Sequence, residues 1–154
     1  MHFLKLLYSH FVHLILFPLP DAPLTMRFRG WLYSFGMRKC GKDFQVSSTA
    51  ILRGLEKISC GDNVYIGPNS YVLAREEVVI ESEVLVAMNV VIVDANHGRD
   101  IDTNSYRFKR GRAEKVLIGR GSWIAANSVI TAGTVLKSGS LVTPCSVVRR
   151  GDSL

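Results

Sequence analysis

From Cys40 onward the apolar residues recur neither every 3.6 positions, as on a helix, nor on alternate positions, as on a half-buried strand, but on every sixth. The hexads are CGKDFQ, VSSTAI and LRGLEK from Cys40; CGDNVY, IGPNSY and VLAREE from Cys60; IESEVL, VAMNVV and IVDANH from Ile80; then IGRGSW, IAANSV and ITAGTV from Ile118, and LKSGSL, VTPCSV and VRRGDS from Leu136. The first position is aliphatic or Cys in all fifteen, the second is often Gly or Ala, and the fifth is usually Ser, Thr, Ala or Val. Two extra residues, Ile58-Ser59, Val78-Val79 and Val116-Leu117, recur at one place in the cycle. This pattern predicts an all-β solenoid with three short parallel strands per turn, forming a triangular prism. One side chain per hexad points inward and stacks on its neighbours about 4.8 Å above and below. Small second and fifth positions suit the corners, where a larger side chain would collide.

The phase fails once. Between His97 and Val116 lie eighteen residues, GRDIDTNSYRFKRGRAEK, with no hexad register. Because the strands resume in phase, residues 98–115 are expected to leave the prism and return at one corner as a single excursion. Six of them are basic: Arg99, Arg107, Lys109, Arg110, Arg112 and Lys115. His97 stands at the root of this loop, as the last residue of the ninth hexad and the only histidine of the repeat region. On the hexad count the chain stays on the prism through His97 and departs at Gly98. An imidazole titrates near neutrality and so suits proton transfer. Asp94 and Asp100, three residues to either side, are the carboxylates that could fix its tautomer. Three residues along a strand place side chains on opposite faces, which makes Asp94 the weaker choice, whereas Asp100 could fold back from the loop.

Residues 1–39 form a helical extension. The first twenty, MHFLKLLYSHFVHLILFPLP, are too short in apolar run for a membrane span of about 20 residues and lack a small-residue cleavage site. Two readings stand: a cap on the open end of the prism, or an amphipathic segment over residues 1–35 that touches a membrane surface. The basic residues Arg27, Arg29, Arg38, Lys39 and Lys42 around Trp31 and Tyr33 keep the second in play. The net charge of +6 points to acidic or phosphate-bearing partners. Cys40, Cys60 and Cys145 have neither CxxC spacing nor an even count, so they read as reduced thiols of a cytoplasmic protein.

The pattern [LIV]-G-x-x-x-x at Ile66-Gly67, Val86-Ala87, Ile118-Gly119 and Ile124-Ala125 resembles the left-handed parallel β-helix of the hexapeptide-repeat acyltransferases over residues 40–154. VAMNVVIVDANHGRD, followed after the loop by IGRGSWIAANSVITAGTVLKSGS, is similar to the sugar and polysaccharide O-acetyltransferases within it. The resemblance implies left-handedness, a homotrimer, acetyl-CoA as co-substrate with no metal, and His97 as general base for acetyl transfer to a sugar hydroxyl. It puts the acetyl-CoA groove along Trp123, Ala125, Ala126, Ala132 and Gly133, whose backbone N–H groups or small side chains would admit the pantetheine arm. Lys137, Arg149 and Arg150 would lie toward the phosphates. Asn89, Arg99, Tyr106 and Arg107, around the histidine and its loop, are the corresponding acceptor-binding candidates. Many relatives continue past the final VVRRGD with an Asn-Pro-Ala-Lys type segment, so a weaker hold on the nucleotide is expected here.

Competing readings differ in what they require. A hexapeptide-fold carbonic anhydrase needs three histidine ligands, and the prism has one. A serine acetyltransferase needs a large N-terminal helical domain. Nucleic-acid binding has basic residues but no recognised module, and no nucleic-acid partner is expected. A catalytically silent trimeric scaffold is the alternative that stands. A basic loop and an apolar N-terminus together favour an acidic or lipid-linked saccharide acceptor, handled at the inner face of a membrane.

Overall fold

A computed structural model describes residues 2–152; the last residue of the fifteenth hexad, Ser153, lies outside them. Two helices, α1 (His2–Leu16) and α2 (Pro23–Ser34), precede three five-stranded parallel sheets that form the faces of a prism. The first face is Lys39–Cys40, Ile58–Cys60, Val78–Ile80, Val116–Ile118 and Val135–Leu136. The second is Gln45–Val46, Tyr65–Ile66, Leu85–Val86, Trp123–Ile124 and Leu141–Val142, and the third Ile51–Arg53, Tyr71–Leu73, Val91–Val93, Val129–Ile130 and Val147–Val148. Each strand pairs in register with the one a full turn away, as in Val46↔Ile66, Ile66↔Val86 and Ile124↔Val86.

The six-residue period and the core coincide. Of the fifteen first positions fourteen are buried, and Cys40, on the end coil, is half-buried. The extra residues Ile58, Val78 and Val116 are also buried, because they lengthen the first-face strand by one inward position. Second positions are as tight as their composition suggests: a Cβ on Gly61 would lie 2.4 Å from the Ser82 nitrogen of the next coil.

The corner itself turns on the fourth position, which the sequence reading did not single out. Asp43, Asn63, Asn69, Glu83, Asn89, Asn127, Cys145, Gly121, Gly133, Gly139 and Gly151 all have φ between +53° and +87°. Asn, Asp and Gly tolerate this left-handed conformation best, which accounts for their concentration there.

The N-terminal helices close one end. In α2 the buried side is Met26, Arg29, Gly30 and Tyr33, seated on the first coil so closely that a Cβ on Gly30 would fall 1.9 Å from the Phe44 carbonyl oxygen. Helix α1 is tied down by Tyr8 Oη, which donates to the Leu32 carbonyl at 2.6 Å, and by Ser9 Oγ, which donates to that of Leu52. The junction is locked by Arg29, 1% exposed. Its guanidinium donates to the carbonyls of Val46 (2.6 Å), Leu16 (3.2 Å) and Leu19 (3.1 Å) and to Asp21 Oδ1 (3.3 Å). Asp21 in turn accepts from the Ser48 N–H at 2.7 Å and from Ser47 Oγ. Burial disfavours the Asp21 carboxylate, but these hydrogen bonds and the Arg29 charge outweigh it and hold the carboxyl below its usual range.

The cap reading of residues 1–39 is thus consistent with the packing. Among the described residues no helix is long and apolar enough to cross a membrane. Arg29→Met removes a buried charge whose acceptors are then unpaired. It is expected to lower unfolding free energy by about 3–5 kcal/mol, read as a shift in the urea midpoint at constant slope.

Candidate active site

The excursion leaves at the edge between the third and first faces, and earlier than the hexad count places it. The last prism strand ends at Val93, and Ala95–His97 pairs antiparallel with Arg110–Ala113 as a hairpin standing off the prism. His97 is therefore a hairpin residue, opposite Arg110 across a bulged ladder, rather than the end of a prism strand. The reason lies in Asp94. It is fully buried, and its two oxygens accept from the N–H groups of Arg75 (2.8 and 2.9 Å) and Glu76 (2.7 Å) at the corner of the preceding coil. That staple turns the chain outward at residue 94.

Neither candidate carboxylate orients the imidazole. Asp94 is committed to the corner. Asp100 accepts from the N–H groups of Asp102 (3.1 Å) and Thr103 (3.0 Å) and from Thr103 Oγ1 (3.0 Å), the bonds from Thr103 foremost in holding its carboxyl below the usual range. The His97 side chain is exposed and makes no hydrogen bond among the described residues.

The hairpin is fixed to the coils on either side by ion pairs. Glu77 takes Lys115 at 2.8 Å and Arg38 at 2.6 Å, while Glu114 takes Arg112 at 3.1 Å and Arg150 at 3.0 Å. Farther out, the Arg99 guanidinium donates to Asn104 Oδ1 at 2.8 Å, Arg107 lies 5.4 Å over the Phe108 ring, and Tyr106 is exposed. Arg99 and Arg107 are thus engaged within the loop itself.

The remaining candidates divide among the three edges. Ala132, Gly133, Arg149 and Arg150 lie at the same edge as the hairpin, one and two coils beyond it, and Arg150 is engaged by Glu114. Lys137 is at the edge between the first and second faces, with no acidic partner among the described residues. Ala125, Ala126 and Asn89 are at the edge between the second and third, where Asn89 Nδ2 donates to Asn127 Oδ1 at 3.0 Å. Trp123 projects from the second face, 50% exposed. Within the chain, then, the structure brings Ala132, Gly133, Arg149 and Arg150 to the edge that bears His97 and leaves Trp123, Ala125, Ala126 and Lys137 on another face or at other edges. Two of the expected backbone donors are also taken: Trp123 N–H donates to Ser140 O at 2.9 Å and Ala125 N–H to Val142 O at 3.0 Å. The Ala126 N–H has no acceptor among the described residues.

The sequence reading missed a cleft of about 740 Å³ beneath the hairpin, lined by Glu56, Lys57, Ala74, Arg75, Ala95, Arg110, Gly111 and Ala113. Arg110 was visible in the loop's basic set, but Lys57 and Arg75 sit in coils below it. Only the stacking of coils brings them alongside. Among the described residues no group of three or more His, Cys, Asp or Glu side chains is arranged to hold a metal ion. Cys40, Cys60 and Cys145 are free thiols, and burial raises that of Cys40 to about 11.

Asp94→Asn keeps the shape but gives up a carboxylate that accepts three N–H bonds. It should cost about 1–3 kcal/mol of stability, whereas Asp100→Asn, in an exposed turn, should change the melting midpoint little. Equal losses in calorimetric melts would contradict this division of roles.

No family model matches the chain. Over 95 residues it is 30% identical to WbbJ of Escherichia coli strain K12, named as a lipopolysaccharide biosynthesis O-acetyl transferase, a match covering 57% of this chain and 48% of that protein. The chain thus spans about half the length of that curated relative. Among solved structures it superposes on the hexapeptide-repeat acetyltransferase VCA0836 of Vibrio cholerae, complexed with acetyl coenzyme A, with a TM-score of 0.78, 20% identity, and coverage of 96% of this chain and 77% of that one. A maltose O-acetyltransferase from Clostridium difficile 630 superposes with a TM-score of 0.74 at 20% identity, covering 95% of this chain and 76% of that one. In sequence over 95 residues this chain is similar to the O-acetyl transferase WbbJ, and in fold, over nearly its whole length, to the hexapeptide-repeat acetyltransferase VCA0836.

Proposed function

We propose that this protein is an O-acetyltransferase that moves acetyl from acetyl-CoA to a hydroxyl of a sugar or surface-polysaccharide precursor, with His97 as general base. The observation that carries the reading is the exposed imidazole on a hairpin clamped to its prism, in a chain similar to acetyltransferases of the same fold. In the reaction the acceptor hydroxyl oxygen attacks the thioester carbonyl carbon while its proton passes to the imidazole. The C–S bond then breaks and the proton is returned to the departing thiolate. An unassisted alcohol is a poor nucleophile at neutral pH, and general-base assistance is worth about 10²–10⁴ in rate. The unengaged Ala126 N–H is a donor that could face the developing oxyanion.

The division of the candidates among three edges favours a trimer in which the edge bearing His97 meets a neighbour's groove. Two outer surfaces suit a closed ring, which needs two different contact faces per subunit. On the third face the outward column is Ile51, Tyr71, Val91, Val129 and Val147, in register through all five strands. On the second it is Leu85, Trp123 and Leu141.

Peripheral contact with an anionic membrane through residues 1–35 is part of the same reading. The outer side of α1 is Phe3, Leu4, Leu7, Phe11, Leu14 and Ile15, and that of α2 is Leu24, Phe28 and Trp31, followed by Phe35 at its C-cap, all exposed. Six basic residues against one acidic fall within the first 42. Packing two such ends together would oppose like charges, whereas anionic lipid complements them. A need for acetyl-CoA favours the cytoplasmic face.

In an assay of free-thiol release with acetyl-CoA and a panel of saccharides, His97→Ala should lower kcat by about 10²–10⁴ while calorimetric CoA binding is retained. Retained turnover would remove His97 from the mechanism, and a wild-type protein that binds no CoA would favour a silent scaffold. In sedimentation the protein should run at three subunit masses and pellet with phosphatidylglycerol vesicles but not with phosphatidylcholine ones. A monomer, or equal pelleting with both, would contradict the assembly or the charge-directed contact respectively.

A further inference from the structure

The cations of this edge are unequally served. Arg38 and Lys115 share Glu77, Arg112 and Arg150 share Glu114, and Asp94 is spent on backbone N–H groups. The guanidinium groups of Arg75 and Arg110 have no acidic or hydrogen-bonding partner among the described residues, and both line the cleft beneath the hairpin. Lys57 lines it too, its ammonium donating to the Arg75 carbonyl, and Glu56 is the one carboxylate among the lining residues. The other walls are Ala74, Ala95, Gly111 and Ala113, which leave about 740 Å³, room for a sugar ring or two. Arg110 stands directly across the ladder from His97, and directly opposed side chains share one side of a ladder.

Resting on the acetyl-transfer reading, we infer that this cleft is the acceptor site and that it selects a saccharide bearing an anionic group, phosphate or carboxylate, held by Arg75 and Arg110 so that a neighbouring hydroxyl meets His97. Guanidinium groups bind both anions through paired N–H donors, and these two have no ion-pair partner among the described residues. The small walls take the ring, and the anion fixes which hydroxyl is presented.

The test compares glucose, glucose 6-phosphate and glucuronic acid as acceptors, with wild-type protein and the Arg75→Gln and Arg110→Gln variants, each first checked for an unchanged melting midpoint. The ratio of kcat/KM for the anionic sugars over glucose should exceed one in the wild type and fall about 10- to 100-fold in each variant, the range of one charge-assisted hydrogen bond. Glucose 6-phosphate outrunning glucuronic acid would assign the anion as phosphate, and the reverse as carboxylate. A wild-type ratio at or below one, or ratios unchanged in both variants, overturns the inference. If no sugar accepts acetyl, the transfer reading is what fails. Calorimetry of glucose 6-phosphate and glucuronic acid without acetyl-CoA then decides the cleft: binding lost in the variants supports it, and binding absent or unaffected overturns it.

Discussion

Everything in this molecule is referred to the fixed spacing between coils. Each strand must satisfy its backbone groups with the coil above and the coil below, so successive hexads can neither tilt nor slip without breaking whole rows of hydrogen bonds. The inward columns fill the space that this spacing leaves, and the left-handed fourth positions allow the chain to turn fast enough to stay in register. The first coil has no coil beneath it, so its exposed end is met by α2 and by the Arg29–Asp21 lock, whose guanidinium satisfies carbonyls on the helix connection and on the coil together.

Chemistry is confined to the edges by the same rule. Faces consist of paired backbone and in-register side chains, so a segment that departs from the repeat has to leave the prism at a corner. The single excursion does so, and at its returning end Lys115 pairs with Glu77 on the coil below and Glu114 with Arg150 on the last coil above. Exposed pairs of this kind are worth little singly, but here Arg112, Glu114 and Lys115 form a network at the returning strand.

How much of this could be read from the residues follows from what enforces each feature. The inward positions were legible because a buried aliphatic at every sixth residue has one geometric explanation, and fourteen of fifteen are buried. The excursion was legible as a loss of phase, but its start was not. Ala95, Asn96 and His97 keep the hexad count, so only the Asp94 carboxylate, bonded to residues nineteen and eighteen positions earlier, reveals that the chain has already turned away. The corner conformation at the fourth position was written in its Asn, Asp and Gly content and overlooked beside the more regular second position. The cleft was not legible at all, since Lys57, Arg75 and Arg110 become neighbours only through coil stacking and the fold-back of the hairpin.

Asp94 has a wider consequence. By gripping the backbone at Arg75 and Glu76 it fixes the corner from which the Arg75 side chain rises, and by ending the prism strand it fixes where the hairpin carrying His97 and Arg110 begins. One buried side chain therefore indexes both walls of the cleft to each other, like a pin through two plates. Thermal motion of the outer loop, from Arg99 to Lys109, can proceed without altering the distance between the imidazole and the corner below it.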